Sequence, residues 1–147
     1  MINNLIYLKI LKVKTMNNVF NIPVRVYYED TDAEGIVYYA TYLKFAERAR
    51  TEFLRARNLK PETTKNDERC GFVARHVEVD YKKSAFLDDL LTVTCQIKEV
   101  KNSSVTIVQE ILKENEILTS LEITLVYINI NRHRPTKIPD TMRLKLV

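Results

Sequence analysis

Two periodicities divide the chain near Gly71. Between Tyr42 and Ala56 the apolar or small positions are Tyr42, Phe45, Ala46, Ala49, Phe53 and Ala56, which return to one helical face. Lys44, Glu47, Arg48, Arg50, Glu52 and Arg55 occupy the remainder. The pattern predicts one long amphipathic helix that stops near Asn58, because Pro61 follows shortly after. Alanines in the stripe allow another surface, such as a wrapping sheet, to approach closely. From Gly71 onward the apolar positions alternate. Val73, Val77, Val79 and Tyr81 share one parity, and His76, Glu78, Asp80 and Lys82 the other. This predicts a strand with one wet face. Further strands are expected over residues 91–97, 105–112 and 117–130, with polar turns at 83–89, 101–104 and 114–116. The last strand is apolar on both parities from Leu125 to Ile128, so it is expected to lie centrally, covered on both sides. Ahead of the helix, Pro23 opens a short alternating strand from Val24 to Glu29. One strand, one long helix and four strands in meander order make an α+β layout. A single helix cannot cover both faces of such a sheet, so pairing of identical chains is expected.

Between the first strand and the helix runs the acidic turn Tyr28-Glu29-Asp30-Thr31-Asp32-Ala33-Glu34-Gly35. Its carboxylates stand just before a helix N-terminus, where the first N–H groups have no intrahelical partner. An acid beside a bank of free donors can do chemistry. The spacing of Asp30, Asp32, Glu34 and Gly35 also matches the first half of an EF-hand calcium loop. That match fails further on, because the twelfth position is Thr41 rather than Glu and a strand leads in. No metal is expected. The bland alternative is structural: both Asp side chains make turn and capping hydrogen bonds, and Gly35 supplies a conformation other residues resist. Asp30 is assigned to that role.

At 147 residues the chain suits one domain. Its boundaries are set at residues 17–147, with 1–16 an N-terminal extension expected to be poorly ordered. The formal charge of +4 invites a nucleic-acid partner. However, Lys9, Lys12 and Lys14 all fall within the acid-free first 16 residues, and the remainder is close to neutral. No nucleic acid is therefore expected. No apolar run approaches the roughly 20 residues that span a bilayer. The N-terminus lacks the basic start and small-residue cleavage site of a signal peptide. Cys95 reads as a small core residue and Cys70 as a junction residue, both reduced in a cytoplasmic protein.

The stretch from Val24 to Arg55, VRVYYEDTDAEGIVYYATYLKFAERARTEFLR, resembles the 4-hydroxybenzoyl-CoA thioesterase family of hotdog-fold acyl-CoA thioesterases. Within that family it is most similar to the branch associated with the bacterial Tol–Pal system. Leu87-Asp88-Asp89 and Arg134-Pro135-Thr136-Lys137-Ile138-Pro139 support the resemblance, which covers about residues 22–140. It implies a five-stranded antiparallel sheet wrapped around the long helix, assembled as a homodimer or homotetramer with sites at the subunit interface. The implied reaction turns acyl-CoA and water into a carboxylate and free CoA.

By that resemblance Asp32 is the catalytic carboxylate, either a nucleophile working through a mixed anhydride or a general base toward water. Backbone N–H groups around Tyr39, at the start of the helix, would stabilise the oxyanion. A thiolate, with a parent pKa near ~8.5, leaves without a strong acid behind it. No metal is implied, and no cofactor beyond the CoA of the substrate. Two positions depart from the branch: Tyr39 stands where histidine is common, and Glu34 replaces a frequent glycine. Tyr at that position resembles the hydroxybenzoyl-CoA enzyme.

Lys101, Ser103 and Ser104 resemble the family's nucleotide-phosphate contacts, although an ordinary polar hairpin accounts for them equally well. Tyr38 or Tyr39 is expected to line the acyl pocket. His76 and His133 read as surface residues, and Glu47 as a partner of Arg50 at i+3. The alternative to an enzyme is a non-catalytic hotdog protein binding acyl-CoA or acyl carrier protein. Retention of Asp32 within the full turn argues against it.

Overall fold

The computed structural model describes residues 19–59 and 68–147. The expectations for residues 1–16, and for most of the polar loop 60–69, fall outside those ranges. In chain order come β1 (Phe20–Arg25), a short 3₁₀ turn (Tyr28–Asp30), α1 (Thr41–Ala56), β2 (Cys70–Tyr81), β3 (Leu90–Val100), β4 (Ser104–Lys113), β5 (Glu116–Asn129), β6 (Arg134–Pro135) and α2 (Asp140–Leu146). Five long strands form one antiparallel sheet in the order β1-β3-β4-β5-β2, and the two-residue β6 pairs with β5. With one long helix against the sheet, this is the α+β hotdog architecture. No helix among the described residues is long and apolar enough to cross a membrane.

The expected meander holds only for β3, β4 and β5. β2 pairs with β5 instead of β3, and β1 takes the opposite edge beside β3. The connection after β2 crosses the end of the sheet and is fastened to the acidic turn. Val37 N–H donates to Ala85 O at 2.9 Å, Val26 N–H to Asp89 O at 2.9 Å, and Asp88 N–H to Val26 O at 3.0 Å. These long-range bonds carry the chain from one edge of the sheet to the other, and nothing in local periodicity announces them.

α1 packs over β1, β3 and β4. Its buried side chains are Thr41, Tyr42, Phe45, Ala46, Ala49 and Phe53. The stripe read from the sequence thus holds except at Ala56, which is exposed where the helix ends. Phe45, Ala46 and Ala49 are fully enclosed, and the two methyl side chains let the sheet lie close to the helix backbone. The helix terminates at a left-handed Asn58 (φ 55), with Leu59 N–H returning to Leu54 O at 2.9 Å.

Polar side chains also cross the helix–sheet boundary. Arg50 donates to Gln109 Oε1 at 2.7 Å, and Gln109 Nε2 donates to Ala46 O at 2.9 Å and Thr94 O at 3.0 Å. The expected pairing of Glu47 with Arg50 is electrostatic without a hydrogen bond: Glu47 accepts from the Thr51 hydroxyl and Arg50 turns toward a buried acceptor on β4, while the Glu47 carboxylate still favours the charged guanidinium. Cys95 lies in the core as read, and burial pushes its thiol up to about 12, so it stays protonated.

β2 departs most from expectation. Its register with β5 shifts between Ala74 and His76, leaving Arg75 as the extra residue of a bulge. Val73 therefore shares a face with His76 and lies opposite Val126, whereas Val77 lies opposite Ile123 on the other face. The parity reading holds from His76 to Tyr81, where His76, Glu78 and Asp80 share one exposed face and Val77, Val79 and Tyr81 the other, and it fails at Val73, which the bulge turns to the polar side. Val73 and Val77 are each 40% exposed.

Candidate active site

The end of β1 runs into the 3₁₀ turn, where Asp30 is only 5% exposed. Its Oδ2 accepts the Tyr27 N–H at 2.8 Å, and its carbonyl accepts the Tyr38 N–H at 2.9 Å. Asp30 is thus consumed in holding the turn, in line with its structural reading.

The chain next doubles back as a small hairpin. Thr31 bridges Val37, Asp32 N–H donates to Ile36 O at 2.9 Å, and Gly35 N–H donates to Asp32 O at 3.0 Å. Gly35 adopts φ +75 with open space where a Cβ would stand, so backbone conformation, not crowding, requires glycine here. Asp32 Oδ1 accepts the Glu34 N–H at 2.9 Å, which orients the carboxylate. Among the described residues, no hydrogen bond engages its other oxygen.

The crossover after β2 braces this hairpin. Phe86 bridges Ile36, and Ala85 N–H donates to Tyr42 Oη at 2.9 Å. Asp89 accepts the Phe86 N–H at 2.9 Å and pairs with Lys113 at 2.8 Å. Burial alone would push the Asp89 carboxyl up, but Lys113 and the Phe86 N–H together hold it below the usual carboxylate range. The run Leu87-Asp88-Asp89, legible in the sequence only through the resemblance, therefore clamps the acidic turn to β1.

α1 begins at Thr41, two residues beyond Tyr39, and its N-cap, Ala40, has no capping side chain. Thr41 N–H donates to Tyr38 O at 2.8 Å and Leu43 N–H to Ala40 O at 3.2 Å. Among the described residues no backbone hydrogen bond takes up the N–H of Tyr39 or of Ala40. An uncapped helix start leaves donors of this kind facing outward.

Asp32 and Tyr39 line one cavity of roughly 330 Å³. Its other walls are Ile36 and Val37 from the hairpin, Tyr42 from α1, and Tyr81, Lys82, Lys83 and Ser84 from the end of β2 and beyond. Tyr42 is buried, and Tyr81 stands edge-on to it with ring centroids 5.6 Å apart. Burial raises the pKa of both phenols. Tyr38 lies outside this lining, half exposed, with its ring 4.6 Å from that of Tyr39. The Tyr39 phenol is the main cause of Tyr38's raised pKa, and the Asp32 carboxylate contributes.

The hairpin of Lys101, Ser103 and Ser104 lies elsewhere. β3 starts opposite Arg25, beside the acidic turn, and runs its full length before reaching Lys101. Eleven residues of strand place that hairpin about 35 Å along the sheet from the turn. There it is tied to the C-terminal segment: Arg143 donates to the carbonyls of Lys101 at 2.7 Å and Asn102 at 3.1 Å. One chain thus brings Asp32 and Tyr39 together and leaves Lys101, Ser103 and Ser104 at the opposite end. His76 is exposed beside Glu78, and His133 is exposed in a left-handed turn. Tyr81 went unnoticed as a site residue in the sequence, because an alternating strand position carries no sign of what its tip reaches.

Residues 26–146 match the family model of the thioesterase-like superfamily. The chain is 38% identical over 128 residues to the acyl-CoA thioesterase YbgC of Haemophilus influenzae, spanning 87% of this chain and 94% of that one. It is 40% identical over 124 residues to the acyl-CoA thioester hydrolase YbgC of Escherichia coli O6:H1, spanning 84% and 92% respectively. A solved structure of a probable thioesterase from Bartonella henselae superposes with a TM-score of 0.75 at 33% identity, covering 82% of this chain and 99% of that one. The fold, the length of the match and the identity of these relatives agree: the chain belongs to the thioesterase-like superfamily, as a hotdog-fold thioesterase.

Proposed function

We propose that this protein hydrolyses acyl-CoA thioesters, with Asp32 as the catalytic carboxylate. The observation that carries the reading is the single cavity shared by the oriented Asp32 carboxylate and the uncapped start of α1. The acyl-CoA class is taken from the names of the Haemophilus and Escherichia relatives. As a general base, Asp32 takes a proton from water, the hydroxyl adds to the thioester carbonyl, and the C–S bond breaks to release CoA thiolate. As a nucleophile, its oxygen adds to the same carbon, CoA leaves, and water then splits the mixed anhydride. Either route builds negative charge on the carbonyl oxygen, which the N–H groups of Tyr39 and Ala40 would receive. CoA enters as part of the substrate, and no other cofactor takes part. Assignment to the Tol–Pal-associated branch rests on the Val24–Arg55 resemblance, and Tyr39 departs from that branch; a cytoplasmic location is part of the proposed reading.

The reading includes a homodimer, or a pair of such dimers, with the site completed across the interface. β2 is a 12-residue edge strand with exposed valines on both faces, and α1 packs chiefly over β1, β3 and β4, touching β2 through the Tyr42–Tyr81 ring pair near one end. Such an edge invites pairing with a second chain. Antiparallel pairing about a two-fold axis sets the Tyr81 end of one β2 beside the Cys70 end of the other. Ser104 is level with Val126, which pairs with Val73 near that Cys70 end. The Lys101–Ser104 hairpin of one copy would then stand three strand spacings, about 15 Å, from the other copy's Tyr81 end. That would bring the proposed phosphate contacts to the partner's Asp32.

Thiol release from short aliphatic, long-chain and aromatic CoA esters, with acyl carrier protein esters alongside, tests the reaction. Turnover on CoA esters is expected. Tight binding with no turnover on any ester leaves the non-catalytic reading in its place. The interface is tested by Val77→Lys, which sets a charge on the exposed edge. Light scattering is expected to show a halved mass, and kcat/KM to fall by about 10²-fold. A monomer with full activity would refute the shared site.

A further inference from the structure

We infer that Tyr81 is a positioning residue for the thioester carbonyl, acting through the Tyr39–Ala40 peptide group; this rests on the proposed oxyanion role of the helix start. Tyr81 is the last residue of β2, and its Oη donates to Tyr39 O at 2.8 Å. That oxygen and the Ala40 N–H belong to one peptide unit. A donor on the carbonyl side draws electron density toward oxygen and makes the N–H on the other side a stronger donor. The same bond fixes the tilt of the peptide plane, and with it the direction in which the N–H points.

The phenol is aimed by packing. Its ring stands edge-on to Tyr42, which is buried and anchored by the Ala85 N–H. Burial of the phenol, followed by the neighbouring Tyr39, keeps its proton in place, so the O–H remains a donor through the working pH range. This hydrogen bond, beside the Tyr42–Tyr81 ring contact, ties the end of β2 to the start of α1. Tyr81 also lines the cavity that holds Asp32, so a simple wall role is the competing explanation.

Tyr81→Phe separates the two, since it keeps the ring and removes the O–H. If Tyr81 positions the peptide, kcat falls about tenfold, by the same factor for every acyl group, with KM within about twofold. A changed acyl ranking with an unchanged best kcat assigns Tyr81 to the wall and overturns the inference. A second readout is the infrared carbonyl stretch of a CoA ester bound to Asp32→Asn and to Asp32→Asn/Tyr81→Phe. The stretch is expected to shift down from that of the free ester in the first, and by less in the second. Equal downshifts in both would overturn the role of Tyr81 while leaving the oxyanion donors standing. No downshift in either, or an Asp32→Asn protein that still hydrolyses the ester, overturns the proposed function and this inference with it.

Discussion

Asp32→Asn is expected to lower kcat for thiol release by about 10³-fold while leaving the folded structure intact. The amide is isosteric with the carboxylate, and its carbonyl oxygen can still accept the Glu34 N–H that orients the side chain. The small hairpin is also held by bonds Asp32 does not make, from Val37 to Ala85 and from Tyr38 to Asp30. The change in stability should therefore stay below about 1 kcal/mol, as for most partly exposed positions. The reactive lone pair is lost, because an amide neither takes a proton from water nor adds to a thioester at a useful rate. Intact mass under single turnover in the wild type separates the two routes: a transient gain equal to the acyl group marks the mixed anhydride. Asp32→Asn activity within tenfold of wild type would sink the assignment. Asp30 cannot substitute, since it is buried and its carboxylate is bound to the Tyr27 N–H.

Phe45→Ala is expected to cost about 3–5 kcal/mol of stability, the usual range for emptying a fully buried aromatic site. Phe45 is fully enclosed at the centre of the face α1 turns to the sheet. Its ring stands edge-on to Tyr42 at 6.3 Å, and the Arg48 guanidinium sits 5.7 Å over it. The surrounding strands are tied into one ladder and cannot close fully on the gap, so the cavity cost adds to the lost burial. For a chain of this size the loss corresponds to a fall in Tm of roughly 10–15 °C. Urea or thermal unfolding measures it directly, and a loss below about 1 kcal/mol would show that the helix is not the centre of the core. The effect is on the folded population, in contrast to Asp32→Asn, which acts on the rate alone.

Much of this molecule is legible in local pattern. The stripe from Tyr42 to Phe53 became the buried face of α1, and each polar run read as a turn within the described residues separates two elements. The failures share one cause. Ala56 sits in the right phase but is exposed where α1 ends. Val73 and Val77 share parity, yet the bulge at Arg75 turns them to opposite faces. Glu47 and Arg50 have the spacing of an ion pair and interact electrostatically, but Gln109, 59 residues away, takes the Arg50 hydrogen bond.

The sequence by itself determined the element types, the acidic turn with Gly35 at its strained position, and the family, because these depend on residues close together in the chain. Tertiary structure alone decided the strand order, the open β2 edge, the clamp of Asp89 on the turn and the reach of Tyr81 to the start of α1. Each of those depends on which distant segments satisfy one another's hydrogen bonds and bury one another's surface. Such pairings are settled by the free energy of the whole sheet, and local periodicity carries no record of them.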